Sequence, residues 1–371
     1  MSPFVPYRFP AIRPVVPPIE AWACFLDPAY AAKWFSNFGP VVRRFEKALT
    51  EKFCHSNEFI TSTNNCTSAI AASLIALKVR GRVLIPAYTF PATASAVVMA
   101  GAQPCVADVD LQTWSLAAAS LDRALSNKRC EAVVLVAPFG IREDLSSHFG
   151  ICEKHGIPVV IDNASGLDRK EMPLPNERSF ETYSLHATKA FPIGEGGAIR
   201  SFASQAELLR RALNFGLQGG VAQRGFWGIN GKLPEVAAAI GLAVLLRFEE
   251  VTAHRRMIAG RYIDMLREFD QIRNPSAVDR APWQFFPLLL PSAEIANQFI
   301  EKAACKSLQI RHGYDPSLED WPRTEKIGPC PNARSLSERM VLLPVYSDAT
   351  DEEISQISAI TRDILRALLG N

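Results

Sequence analysis

Most of the signatures that assign a chain to a common enzyme class are missing here. No G-x-G-x-x-G follows an apolar strand, and there is no phosphate-binding P-loop, no H-E-x-x-H and no G-x-S-x-G. This removes the dinucleotide, nucleoside triphosphate, zinc-hydrolase and serine-hydrolase readings of an α/β chain. The eight cysteines, at 24, 54, 66, 105, 130, 152, 305 and 330, form no Cys-x-x-Cys pair and have no histidines at metal-ligand spacing. Free thiols are therefore expected, with no metal site and no disulfide framework. No stretch of 18 apolar residues occurs, and Met1 to Pro18 is proline-rich without the apolar core of an export signal. A cytoplasmic protein is expected on those grounds. Charge of one sign is also scarce: 40 basic against 38 acidic residues leave a net +2, with no basic stripe interleaved with aromatics. Nucleic acid is not the expected partner, whereas a small anionic substrate needs only a local basic pocket.

What is present centres on Lys189. It follows Tyr183-Ser184-Leu185-His186-Ala187-Thr188 and precedes the glycine-rich turn Gly194-Glu195-Gly196-Gly197. A lysine between an apolar strand and a tight turn can be desolvated and made reactive toward a carbonyl, as a Schiff-base lysine is. Upstream, Pro158 to Ile161 is a continuous apolar run ending in Asp162, as expected of a buried parallel strand that delivers an acid to its carboxyl end. Ile60 to Ser68 is rich in hydroxyls and leads into the helix-length apolar run Ala69 to Leu77, so Thr67 and Ser68 are expected to cap that helix and to welcome a phosphate. Val83 to Pro91 is a strand and loop that delivers the ring of Phe90. Lysine, acid, phosphate cradle and flat ring together describe a pyridoxal phosphate pocket, although each alone has an ordinary structural reading as a surface charge, turn residue, cap or core aromatic.

These segments resemble the nucleotide-sugar aminotransferases of the DegT/StrS family, within the fold type I pyridoxal phosphate enzymes. The match runs from Asn37-Phe38-Gly39-Pro40 through Thr67-Ser68, Tyr88-Thr89-Phe90, Asp108-Val109-Asp110, Asp162, Ser184, Lys189 and Glu195-Gly196-Gly197 to Gly228-Ile229-Asn230-Gly231-Lys232-Leu233, with a weaker extension over Ser335 to Pro344. The resemblance implies that Lys189 forms the imine with the cofactor and moves the reacting proton, that Asp162 pairs with the pyridine nitrogen, and that Thr67, Ser68 and Ser184 hold the phosphate. It also implies that Phe90 stacks on the ring and that Asn230 reaches the phosphate of the other subunit in a homodimer. The implied reaction moves an amino group from an amino acid, L-glutamate by expectation, to a nucleotide-linked keto-deoxy sugar. Arg224 and Arg311 are candidates for the sugar nucleotide's phosphates.

Two positions depart from the family pattern. Ser165 stands where a glutamine usually meets the cofactor ring, so a gap or a water is expected beside it; Cys66 stands where glycine usually precedes the phosphate threonine. Retention of Lys189 argues against the dehydratase branch, which carries histidine there. Other pyridoxal phosphate reactions, such as elimination or aldol cleavage, and a non-catalytic regulator or binder that kept the fold, remain the alternatives.

The length of 371 residues exceeds what one core usually holds. Strand-like runs at 82–85, 104–107, 132–137, 159–161, 182–185 and 198–201 alternate with helix-length segments, the pattern of a wound, mainly parallel mixed sheet. A long helix is expected from Pro234 to about Phe269. The expected division is 1–250, the N-terminal arm and large cofactor-binding domain, and 251–371, a smaller α+β domain against which the arm packs. In the latter, Trp283 to Leu290 reads as a strand, Ser292 as a cap for a helix through Cys305, and Thr350-Asp351-Glu352-Glu353 as a capping box.

Overall fold

The computed structural model describes residues 7–127, 130–141, 143–170 and 172–370. The first six residues of the expected N-terminal arm lie outside the described residues. The large sheet contains β1 (Glu58–Thr63), β2 (Arg82–Pro86), β3 (Gln103–Ala107), β4 (Ala132–Val136), β5 (Val159–Asp162), β6 (Ser179–Ser184) and β7 (Gly197–Phe202). A short hairpin follows, β8 (Leu217–Gln218) and β9 (Val221–Ala222), and then β10 (Phe285–Leu289), β11 (Arg311–His312), β12 (Glu325–Lys326) and β13 (Met340–Pro344). The large sheet has eight strands in the order β1-β7-β6-β5-β4-β2-β3-β12. Only β7 runs against its neighbours, pairing antiparallel with both β1 and β6. The sheet is therefore mixed and mainly parallel, and the fold is the α/β fold type I architecture expected from the sequence.

Every residue of β4 and β5 is buried, which is why these strands read as unbroken apolar runs rather than alternating ones. The helix Cys66–Ala76 packs across β5, β6 and β7 and buries all but one of its residues, so it too is apolar all round. Beneath β7, Arg200 is buried between Glu58 and Glu181 and also donates to the Met172 carbonyl, tying β1, β7 and β6 together by charge. Burial alone would raise the Glu58 carboxyl, but the Leu174 and His55 amides and the Arg200 charge bring it below its ordinary value.

Two strands of the large sheet were not foreseen. β1 is a run of threonine, serine and glutamate with few apolar residues, but it is buried with most of its polar side chains partnered: Glu46 accepts from both the Ser62 amide and its hydroxyl, Thr63 donates to the Asn65 carbonyl and Glu58 accepts from Arg200, while the Thr61 hydroxyl is unpartnered. β12 is two charged residues from the C-terminal part of the chain, added in parallel to the edge at β3. The helix Glu235–Leu266 crosses residue 250 without a break. Beyond it, β10, β13 and β11 form a three-stranded antiparallel sheet with the helices Ala293–Cys305 and Asp351–Leu369, which carry the expected Ser292 cap and Thr350 capping box. The arm packs here: Phe9 exchanges backbone hydrogen bonds with Ser307 and Gln309, and Arg13 forms a fork with Glu353. Among the described residues no helix is long and apolar enough to cross a membrane. All eight cysteines are free thiols, two of them exposed.

Candidate active site

The carboxyl ends of β2, β4 and β5 open on a cavity of about 470 Å³, closed on its far side by the three-stranded sheet. Its lining brings together Thr67, Phe90, Asp162, Ser165, Ser184, Lys189 and Arg311, residues spread over most of the chain. This is the crevice in which open α/β sheets bind ligands.

Asp162 ends β5 and is 6% exposed. Its Oδ2 accepts from the Thr93 hydroxyl at 2.7 Å and its Oδ1 from the Ala164 amide at 3.3 Å. Burial pushes this carboxyl up, while Thr93, the charge of Lys189 and the Ala164 amide act against it. Thr93 is shared in turn with Thr89 at 2.9 Å, so a loop threonine and a helix threonine together fix the orientation of the acid. Thr93 was not singled out in the sequence, and Thr89 stood there only as part of the Tyr88-Thr89-Phe90 match, with no role of its own.

Lys189 lies five residues past the end of β6 in a turn closed by its own amide donating to the His186 carbonyl. The glycines after it are required by close packing. A side chain on Gly197 would stand 2.5 Å from Thr63 Oγ1 and 2.6 Å from the Asn65 backbone, and Gly194 has φ +92°. The Lys189 amine meets Ser165 Oγ at 2.8 Å and Gln284 Oε1 at 2.7 Å. Burial lowers its pKa to about 8, with Cys66 and Asp162 pulling the other way.

At the phosphate end the sequence reading is corrected in one respect. Asn65, extended at φ −168°, is the N-cap, and its side chain accepts from the Ser68 amide at 2.8 Å; Thr67 and Ser68 lie inside the first turn. The asparagine caps because it stands just before the helix in the extended conformation, with its short oxygen aimed at the third amide. The hydroxyl of Thr67 is thus left facing the cavity, while Ser68, one residue on, is buried beside it. Cys66 takes ordinary helical geometry, with no positive φ, and burial pushes its thiol well above the usual range. Ser184 is buried, and its Oγ accepts from the His186 amide at 3.3 Å. Phe90 stands at the rim, 62% exposed.

Asn230 and Arg224 do not line the cavity within this chain; both are exposed on the segment after the β8–β9 hairpin. That segment is anchored to the site all the same, because the Asn64 amide donates to the Gly231 carbonyl at 2.8 Å and Lys232 donates to Asn230 Oδ1 at 2.6 Å. The gap expected beside Ser165 is filled by protein: Ser165 Oγ donates to Gln284 Oε1 at 2.8 Å. Gln284 was missed, since one polar residue ahead of an apolar strand carries no signal of its own.

This architecture is that of the fold type I pyridoxal phosphate aminotransferases. The solved structure of DesI in the presence of its TDP-sugar product superposes with a TM-score of 0.86 at 26% identity, covering 99% of this chain and 94% of that one. The chain belongs to the DegT/DnrJ/EryC1/StrS aminotransferase family, whose sequence profile matches residues 25–362. Among curated relatives, dTDP-4-amino-4,6-dideoxy-D-glucose transaminase of Shigella dysenteriae is 26% identical over 362 residues, 95% of this chain and 98% of the relative. GDP-perosamine synthase of Escherichia coli O157:H7 is 25% identical over 341 residues, 90% and 92% of the two chains. The protein is a sugar aminotransferase, and pyridoxal phosphate is its cofactor. The donor set suits that group: a buried carboxylate for a protonated ring nitrogen, a helix N-terminus with hydroxyls for a phosphate, and an amine of lowered pKa.

Proposed function

We propose that the enzyme transfers an amino group from L-glutamate to a nucleotide-linked keto-deoxy sugar, with Lys189 and Asp162 as its catalytic pair. The observation that carries this reading is the Lys189 amine and the buried Asp162 carboxylate lining one cavity, with a helix N-terminus on the same wall. When bound, the cofactor supplies an aldehyde for the donor nitrogen and a ring that accepts electrons. Lys189 Nζ takes the proton from the donor α-carbon and gives one back later in the half-reaction. Burial lowers its pKa to about 8, close enough to neutral pH for both the neutral and the charged form to take part in this exchange. Asp162, oriented by Thr93, keeps a negative charge against the ring nitrogen. Thr67, Ser68 and Ser184 bind the phosphate, the helix N-terminus adding about 0.3 to 2 kcal/mol. Phe90 covers one face of the ring.

Arg311, exposed on β11 at the cavity mouth, would meet the sugar nucleotide's phosphates, and residues 251–371 would form the smaller domain that presents it. A panel of nucleotide 4-keto-6-deoxyhexoses and their 3-keto isomers, with glutamate as donor, is expected to give 2-oxoglutarate in step with aminated sugar for at least one member. Arg311→Ala is expected to raise KM for that sugar by about tenfold to a hundredfold, the loss of one charge-assisted contact, with the glutamate half-reaction unchanged. Amination of no sugar, with efficient turnover of a free amino acid or simple keto acid, would overturn the sugar assignment.

We further infer a homodimer in which Asn230 serves the partner's site. Asn230 is exposed outside its own cavity, and large apolar side chains stand uncovered both beside it in sequence, at Trp227 (79% exposed), and on the helix that follows, at Leu246 (77%). Lys189→Ala and Asn230→Ala chains, each nearly inactive alone, are expected to regain about a quarter of wild-type activity when mixed, because random pairing gives half the dimers one intact site. A mixture no more active than its parts would rule out sharing.

A further inference from the structure

Gln284 stands between the fully buried Trp283 and β10, 95 residues from Lys189 in sequence, yet its side chain ends at the lysine amine. Its orientation is fixed on both sides. Nε2 donates to Thr188 Oγ1 at 3.0 Å, which leaves Oε1 to accept from Lys189 Nζ at 2.7 Å and from Ser165 Oγ at 2.8 Å. A flipped amide would turn its NH₂ toward the ammonium and lose the bond to Lys189. Thr188 is held in turn: its amide donates to His186 Nδ1 at 3.2 Å and its Oγ1 lies 2.9 Å from the same nitrogen, which therefore acts as the acceptor, while Nε2 faces Glu195 Oε1 at 3.5 Å. A line of side chains thus runs from His186 through Thr188 and Gln284 to Lys189. It ends in two neutral oxygens that accept from the amine.

We propose that Gln284 is a positioning residue which, together with Ser165, receives the Lys189 amine whenever that amine is not bonded to the cofactor. The short side chain at 165 makes room for an amide delivered from the C-terminal part of the chain. The released amine is held at one place in the cavity instead of swinging among the rotamers open to a lysine, so it stays within reach of the reacting carbon. Both oxygens accept from the amine, and the Ser165 hydroxyl proton is directed at Gln284 Oε1, so the contact favours the ammonium and biases the protonation state of the catalytic amine. The other titratable groups facing the cavity are Asp162, Cys66, His186, Glu195, Arg311, His312 and Tyr314, and the variants below leave all of them in place.

The inference rests on Lys189 being the amine that bonds the cofactor, and one experiment separates the two claims. Full-length protein freed of its cofactor is mixed with pyridoxal phosphate, and the rate of appearance of the visible band is followed from pH 6 to 10. Wild type is expected to show a midpoint set by the free amine, and Lys189→Ala to show no such band; an identical band in Lys189→Ala would reject Lys189 itself. Gln284→Leu, similar in volume, is expected to move the midpoint down by about one pH unit, and Gln284→Glu to move it up by at least as much, since one removes an acceptor and the other adds a charge. A residue that only packs would not give shifts of opposite sign. Midpoints unchanged in Gln284→Glu, or moved in the same direction by both substitutions, would overturn the role of Gln284 while leaving that of Lys189 intact.

Discussion

Lys189→Ala is expected to lose sustained transamination by at least about 10³-fold, the combined loss of a nucleophilic amine and a proton carrier. Two features make the effect this large. Among the described residues no other lysine lines the cavity, so no neighbouring amine can take over either task. The environment that brings the amine to about pH 8 is also specific to this position: it is enclosed by the sheet and the glycine turn, and a solvated primary amine at neutral pH would be almost wholly protonated. Burial is the larger influence, and the opposing pull of Asp162 keeps it from falling further. The measurement is 2-oxoglutarate release over many turnovers at saturating glutamate and sugar nucleotide. Alanine leaves the fold in place, since the glycine turn and the Lys189 amide-to-His186 bond are backbone features. Turnover at the wild-type rate in this variant would end the assignment of Lys189.

Much of this was legible in the sequence, for a physical reason. Strands buried on both faces cannot hide their apolar character, which made β2 to β5 legible; β6 and β7, more polar, were anticipated from their place around Lys189 and its glycine turn, and an acid at the end of a buried strand points to a ligand crevice. Gly197 was legible because a close approach of two backbones tolerates no side chain. The features that escaped depend on partners distant in sequence. β1 is polar and is buried only because Glu46 and Arg200 meet it, and β12 has two charged residues whose pairing is decided by where the C-terminal segment passes the sheet edge. Thr93 and Gln284 act on Asp162 and Lys189 from 69 and 95 residues away. The vacancy beside Ser165 could be inferred from a pattern; the side chain that fills it comes from another sheet and could not.

The second large effect is expected at Asp162. Asp162→Ala is expected to lower kcat by about 10²-fold or more, at least the value of a charge-assisted hydrogen bond of about 1.5 to 3 kcal/mol, while cofactor still binds. The two quantities separate because, in the proposed arrangement, different parts of the site serve them: the Cys66–Ala76 helix start would hold the phosphate without Asp162, whereas electron withdrawal through the ring nitrogen would depend on it. The structure adds a graded control. Thr93 donates to Asp162 Oδ2, so Thr93→Val keeps the charge but leaves the carboxylate held only through the Ala164 amide among the bonds described above. It also removes an influence that lowers the carboxyl's pKa, so the acid binds protons more readily as pH falls. Thr93→Val is therefore expected to lose activity by less than Asp162→Ala, and to lose it more steeply on the acid side of the pH profile than wild type does. Cofactor occupancy by absorbance, together with kcat from pH 5 to 9 for the three proteins, provides the test. A kcat for Asp162→Ala equal to wild type at full occupancy would remove the aspartate from the mechanism, and a pH profile unchanged in Thr93→Val would show that the threonine does not tune it.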